Sequence, residues 1–302
     1  MSAETATPQG GHWRAYAMLT TTALCWGANA LFSRMAAGEV SPMAVVLLRW
    51  VGVAILIALF ANRYVRDDWP RLKPKLPFLF AMGALGFAGF NGLFYVAGYY
   101  TTAVNIGILQ GAIPGIVLFG AFLAHGARIT RMQGLGVGVT IVGVATVASG
   151  GNVSGLAGLG VNPGDGLMII ACVLYAGYTV ALRNRPATSA LGLFTVLAAS
   201  ALVTSLPMVA VEVYLGQFHW PTPKGWLVVG LITLFPSFLA QIFYMHGVEA
   251  IGPGRAGVFV NLVPVFGAVL AVLILNEPFE LYHGAALALV LGGIWLSERG
   301  KA

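Results

Sequence analysis

Apolar residues along the chain gather into ten runs separated by short polar links, at 15–35, 43–62, 76–98, 104–124, 133–149, 166–183, 190–212, 226–247, 255–275 and 282–297. Each is close to the roughly 20 mostly apolar residues a helix needs to cross a bilayer. The runs are too long for strands and do not alternate, so they predict helices. The expected fold class is an all-α integral membrane protein with ten transmembrane helices.

Polar and aromatic residues inside the runs fall at helical spacing. Thr22, Trp26, Asn29 and Ser33 share one face of the first run. Asn91, Tyr95 and Tyr99 recur every four residues in the third. Ser237, Gln241 and Tyr244 follow in the eighth, and Tyr175 and Tyr178 in the sixth. Between lipid tails a hydroxyl or amide needs a partner, so these faces should point inward. Uncharged polar groups interleaved with rings suit a zwitterionic substrate with an apolar side chain. They equally suit hydrogen bonding between helices, and Tyr99 also suits an interfacial aromatic belt.

Composition agrees with the pattern. Of 302 residues, 58% are hydrophobic and 9% charged, against about 25% charged in a soluble domain. The net charge of +6 comes from loop Lys and Arg, which argues against a nucleic-acid partner. With a cytoplasmic N-terminus, one side holds thirteen basic residues: Arg14, Arg63, Arg66, Arg71, Lys73, Lys75, Arg128, Arg131, Arg183, Arg185, Arg255, Arg299 and Lys301. The other side holds Arg34 and Lys224. This bias predicts both termini on the cytoplasmic side. The polar start, 1–14, meets the first run without a cleavage-like site, so that run reads as a retained helix. Cys25 and Cys172 lie in apolar runs without metal-ligand spacing, so neither a disulfide framework nor a zinc site is expected.

The chain also resembles itself. Trp26, Arg34, Phe94, Tyr95 and Gly98 align with Tyr175, Arg183, Phe243, Tyr244 and Gly247 at an offset of 149. After a one-residue slip, Gly107, Pro114, Gly134 and Gly143 align with Gly257, Pro264, Gly284 and Gly293 at 150. Two units follow, 15–149 and 166–297, each with five runs. Five is odd, so the second unit enters the membrane inverted, with a central cavity between the two.

Leu262-Val263-Pro264-Val265-Phe266-Gly267-Ala268, then Asn276-Glu277-Pro278 and the stretch from Gly284 to Gly293, resemble the end of an EamA repeat. Cys25-Trp26-Gly27 and Arg49-Trp50 resemble the start of one. The resemblance covers nearly the whole chain and implies the drug/metabolite transporter superfamily, with ten helices and export of small metabolites. Within it the chain is most similar to YddG-type amino-acid exporters, which implies the cell's inner (plasma) membrane. Glu277 is a departure from symmetry, since Ala127 stands at its counterpart.

The remaining chemistry is sparse. The ten acidic residues fall in loops or at the ends of runs, and no HExxH, phosphate-binding GxxxxGK[ST] or Ser–His pair occurs. No catalytic residue, cofactor or metal is expected. Proton relays use buried Asp, Glu or His. Only His246 is a candidate, and a packed interfacial histidine is its plainer reading, so facilitated diffusion is expected over proton antiport. Arg49 lies about two turns into its run, where an Arg costs about 2.5–3.5 kcal/mol. Snorkelling or bonding to helix-end carbonyls is the expectation; the alternative is a charge partner for substrate. Pro114 and Pro264 are candidate hinges, and Gly83, Gly86, Gly89 and Gly92 predict one close-packed seam. Arg255, after Gly252-Pro253-Gly254, either attracts an anion or follows the charge bias.

The expected function is alternating-access export of amino acids and similar small metabolites. The expected partners are a small-molecule substrate and the bilayer, with no oligomer required. Hydrophobic-drug export and a passive pore are the alternatives. A nucleotide-sugar carrier would need several cations in the cavity.

Overall fold

A computed structural model describes residues 12–60, 62–152 and 162–300. Glu4, Lys301 and the polar tail before residue 12 lie outside them. Among the described residues every regular element is helical. The ten long helices are helix 1 (His12–Ala36), helix 2 (Pro42–Phe60), helix 3 (76–100), helix 4 (Ala103–Leu109 and Ile113–His125) and helix 5 (Arg131–Ala148), followed by helix 6 (Pro163–Ala181), helix 7 (Ala190–Tyr214), helix 8 (223–251), helix 9 (Pro253–Val260 and Val263–Leu275) and helix 10 (Leu281–Arg299).

Nine helices among the described residues, 2 to 10, are long and apolar enough to cross a membrane. Helix 1 has 25 residues, about 37 Å at 1.5 Å per residue, but its polar stripe makes it less apolar. Its surroundings explain the stripe: helix 1 packs against helices 3, 4, 8 and 9. A helix enclosed by protein finds partners for polar groups that lipid would leave unpaired. The link after helix 2, expected as a loop, contains a short polar helix, Asn62–Leu72. Its charged residues hide it from a search for apolar runs.

Local structure recurs at the sequence offset. Helix 3 widens into a π turn at Ala84–Gly89 and helix 8 at Thr233–Leu239, both starting 149 residues apart. Helix 4 breaks at Gln110–Ala112 and helix 9 at Asn261–Leu262, with Pro114 and Pro264 in the first turn of each following segment. These segments end in left-handed caps at Gly126 (φ 63°) and Asn276 (φ 53°), again 150 apart. Gln133 and His283 then each accept the backbone N–H three residues earlier, at Thr130 and Glu280.

Helices 5 and 10 form a small-residue seam. Gly136 meets the Gly293 carbonyl, and a Cβ on Gly143 would sit 2.9 Å from the Ala286 carbonyl oxygen. Contacts 136 with 293 and 143 with 286 mean that the helices run antiparallel. The offset of 150 carries each contact into the other. Small residues let backbones approach this closely. The glycines of helix 3 do not form one seam. Gly83 and Gly92 face Leu197 and Met208 of helix 7, whereas Gly86 and Gly89 face Tyr178 and Leu174 of helix 6. Helix 3 lies in the groove between those helices, so three-residue spacing distributes the glycines over both walls.

Candidate functional site

A cavity of about 140 Å³ opens between the helices, roughly ten times the space one water needs. Trp26, Asn29, Arg49 and Asn91 line it from helices 1 to 3. Tyr175, Ser237 and Gln241 line it from helices 6 and 8, and Pro114 and Pro264 line it beside the helix breaks. The structure adds Trp50, Phe87, Phe90 and Phe194, and the amides Gln110 and Asn261. Rings within an apolar run look the same whether they face lipid or cavity. Asn261, a lone amide in an otherwise apolar stretch, was the readable signal.

The helical stripes divide by role. Thr22 donates to the Ala240 carbonyl at 3.1 Å and Ser33 to the Phe94 carbonyl at 3.3 Å, tying helix 1 to helices 8 and 3. Trp26 donates through Nε1 to the Pro236 carbonyl at 3.2 Å, within the π turn of helix 8, where carbonyls leave the regular ladder. Ser237 donates to the Ile232 carbonyl at 2.5 Å. Gln241 and Asn261 line the cavity without such bonds among the described residues, so their amides are available.

Four of the five tyrosine candidates lie off the cavity. Tyr95 is buried behind it and donates to Asn29 Oδ1 at 3.0 Å. Tyr178 backs Phe87, with ring centroids 5.2 Å apart, and Tyr244 backs Trp26 at the same separation. Tyr99 donates to the Val40 carbonyl at 2.9 Å and borders a separate recess with Thr101 and Asp165. Arg255 is exposed and is not part of the lining.

Arg49 does not snorkel and takes no helix-end carbonyl. Its Nη1 donates to Asn91 Oδ1 at 2.6 Å and to the Tyr95 hydroxyl at 2.8 Å, and the residue is 7% exposed. The helix 3 stripe supplies acceptors at depth, so the side chain has no need to reach the interface. Its guanidinium carbon lies 5.1 Å from the Trp50 ring centroid, a cation–π contact.

The acids are not all exposed at the ends of runs. Asp165 is 1% exposed and Glu212 is 6% exposed. Asp165 accepts from Thr101 at 2.5 Å and from Asn105, whose Oδ1 faces His283 Nε2 at 3.1 Å. Glu212 Oε1 accepts the Met43 N–H at 3.1 Å, and its Oε2 is enclosed without a partner. His246 is exposed and pairs with Glu249 at 3.4 Å, whereas His283 is buried. Helix ends here are packed between neighbouring helices, so position at the end of a run did not imply contact with water. Among the described residues no cluster of His, Cys, Asp and Glu could hold a metal ion.

A multi-pass helical membrane protein with a polar and aromatic cavity between its helices has the form of a transporter. The chain belongs to the EamA-like transporter family, within the drug/metabolite transporter superfamily: the family's model matches residues 13–149 and again 162–299. It is 24% identical over 296 residues to the uncharacterized transporter YyaM of Bacillus subtilis, covering 94% of this chain and 93% of that one. It is 27% identical over 251 residues to the uncharacterized transporter YetK of the same organism, covering 81% and 74%. The uncharacterized inner membrane transporter YedA of Escherichia coli is 24% identical over 285 residues, covering 92% and 88%. A solved crystal structure shares the fold with a TM-score of 0.64 at 19% identity, covering 95% of this chain and 98% of its own. The chain is a multi-pass membrane transporter.

Proposed function

We propose that this transporter exports amino acids and similar small metabolites by alternating access, across an inner membrane with both termini cytoplasmic. The observation that carries the reading is the cavity itself: available amides at Gln241 and Asn261 stand beside the rings of Trp26, Tyr175 and Phe90, contributed by both stretches that the family's model matches. Amides can hydrogen-bond a zwitterion's ends while rings cover an apolar body. The antiparallel seam of helices 5 and 10 supports two inverted five-helix repeats with helix 1 as the tenth crossing, since equivalent helices meet about a two-fold relation. Inverted repeats can exchange conformations and so open the cavity to either side.

The aromatic lining also favours hydrophobic drugs as cargo. The Arg49 cation beside the rings opposes cationic ones. Asp165 and Glu212 are buried, so facilitated diffusion is not favoured over proton antiport.

Proteoliposomes loaded with a labelled amino-acid panel test the reading. Efflux accelerated by unlabelled substrate on the opposite side is expected for at least one member. Flux without such acceleration would indicate a pore, and no flux above empty liposomes for any member would reject the substrate class. An imposed pH gradient decides coupling: accumulation of substrate in the direction opposite to proton flow means proton antiport.

A further inference from the structure

We infer that Arg49 is the anion-recognition point of the cavity and that the cargo carries a single carboxylate on an apolar body. This rests on the transport reading and specifies its substrate class.

Arg49 is 7% exposed, and none of the described carboxylates lies within ion-pairing distance of it. A guanidinium stays charged at any physiological pH and offers five N–H donors. Both described bonds leave from Nη1, and Nε is enclosed without a partner. A buried cation with neutral partners only retains most of its field.

The surrounding bonds hold that cation ready. Asn91 Nδ2 donates to the Phe87 carbonyl at 2.6 Å, which turns Oδ1 towards Arg49. The Tyr95 proton goes to Asn29, leaving its oxygen to accept from Arg49. Asn91 and Tyr95 thereby position the guanidinium while spending their own donors elsewhere. Trp50 lies against Arg49 and stacks on Phe87 at 5.1 Å, so the same wall presents apolar rings. A carboxylate entering here supplies both the missing counter-charge and acceptors for the unused N–H groups.

The cation is also single. The offset of 149 that matches Tyr95 to Tyr244 carries Arg49 onto Ala198, and no other Lys or Arg lines the cavity among the described residues. One cation suits one carboxylate; a diphosphate would leave charge uncompensated.

The test uses the purified full-length protein in nanodiscs, with binding read by tryptophan fluorescence, since Trp50 touches the proposed site. The probes are L-leucine, 4-methylpentanoate (leucine without its amine) and 3-methylbutylamine (leucine without its carboxylate), and the phenylalanine equivalents read by thermal shift. Both acids of at least one series should bind, with the matched amine at least tenfold weaker. Arg49→Gln should weaken acid binding at least tenfold without weakening the amine, with Arg49→Lys between. An amine binding as tightly as its acids, unchanged affinity in Arg49→Gln, or no carboxylate binding to the unaltered protein would each overturn the inference. The acid-to-amine comparison needs no variant, so misfolding of Arg49→Gln leaves the decision intact. Acid binding without counterflow would instead reject the transport reading, and counterflow unaffected by Arg49→Gln would reject only the role of Arg49.

Discussion

Glu277, in the link before helix 10, caps the start of helix 4: its Oε1 accepts the Ala103 N–H at 3.0 Å. Its Oε2 takes the Val104 N–H at 3.0 Å, and Arg34 approaches the same carboxylate at 3.7 Å. A carboxylate at a helix N-terminus satisfies orphan donors and favours the dipole. The absence of an acidic counterpart now has a reason. The residue 150 after Ala103 is Pro253, which has no N–H to donate, and Ala127 has no carboxylate to accept. The acceptor and the first of the two donors are missing together at the second position.

Removing this cap should be costly. Hydrogen bonds to charged groups contribute about 1.5–3 kcal/mol, so Glu277→Ala should destabilise the protein by an amount of that order. Glu277→Gln should retain part of it. Thermal unfolding of the purified variants measures both, and an unchanged midpoint for Glu277→Ala would contradict the capping role.

The seam of helices 5 and 10 has no room for a side chain at Gly293, where a Cβ would meet Thr140 and the Gly136 carbonyl. Gly293→Val should cost about 1–3 kcal/mol or more through overpacking. Gly292→Ala, one residue earlier and facing open space, should be neutral or gain up to about 1 kcal/mol in helix propensity. Monodispersity and thermal midpoint separate the two. Equal behaviour would mean that the close approach is not maintained.

The Asp165, Asn105 and His283 chain joins helices 6, 4 and 10. His283 Nδ1 accepts the Glu280 N–H at 2.9 Å, so in the neutral ring Nε2 donates to Asn105. Asn105→Ala removes the middle of the chain and leaves Asp165 with Thr101 alone. A loss of about 1–3 kcal/mol is expected, and Asn105→Asp should not rescue it because it sets two carboxylates together. A rescue by Asp would show that the amide donor does not matter.

Glu39 lies on the turn after helix 1 and accepts from Thr222 and from Lys224 at 3.1 Å. Those bonds, Thr222 first and Lys224 next, hold its carboxyl below the usual value of 4.5. A depressed value means that the stabilisation is present above the ordinary carboxylate range and fades as pH falls through the lowered value. The midpoint difference between the unaltered protein and Glu39→Gln should therefore be constant from pH 7 to 5. It should shrink towards zero on further acidification, and should be small throughout because the group is exposed. A difference that grows with acid would reverse the sign of this account.

Ser237 and Gln241 were equivalent on the eighth run's stripe but differ in three dimensions. Ser237 spends its hydroxyl on Ile232, whereas Gln241 keeps its amide for the cavity. Ser237→Ala should leave transport within about twofold. Gln241→Ala, losing one hydrogen bond of about 1 kcal/mol to the substrate, should raise its half-saturation concentration about fivefold. Counterflow assays on both variants read this directly, and equal effects would remove the distinction.

Helix positions and the inward faces of helices 1, 3 and 8 were legible in the chain, because lipid demands long apolar runs and punishes unpaired polar groups. Pattern could not say which inward residue ties helices together and which meets the cavity, since both uses need the same polar atoms. Tertiary structure sent Tyr95 behind the wall and Tyr99 to a separate recess, and brought Asn261 and Trp50 into the lining. It buried Asp165, which stands at the end of a run, and with it His283. Helix packing decides burial at a helix end, and apolar spacing carries no record of it. Arg49 is the sharpest case: its cost in lipid was readable from one letter, but only the approach of helix 3 showed neutral partners and a charge still unanswered.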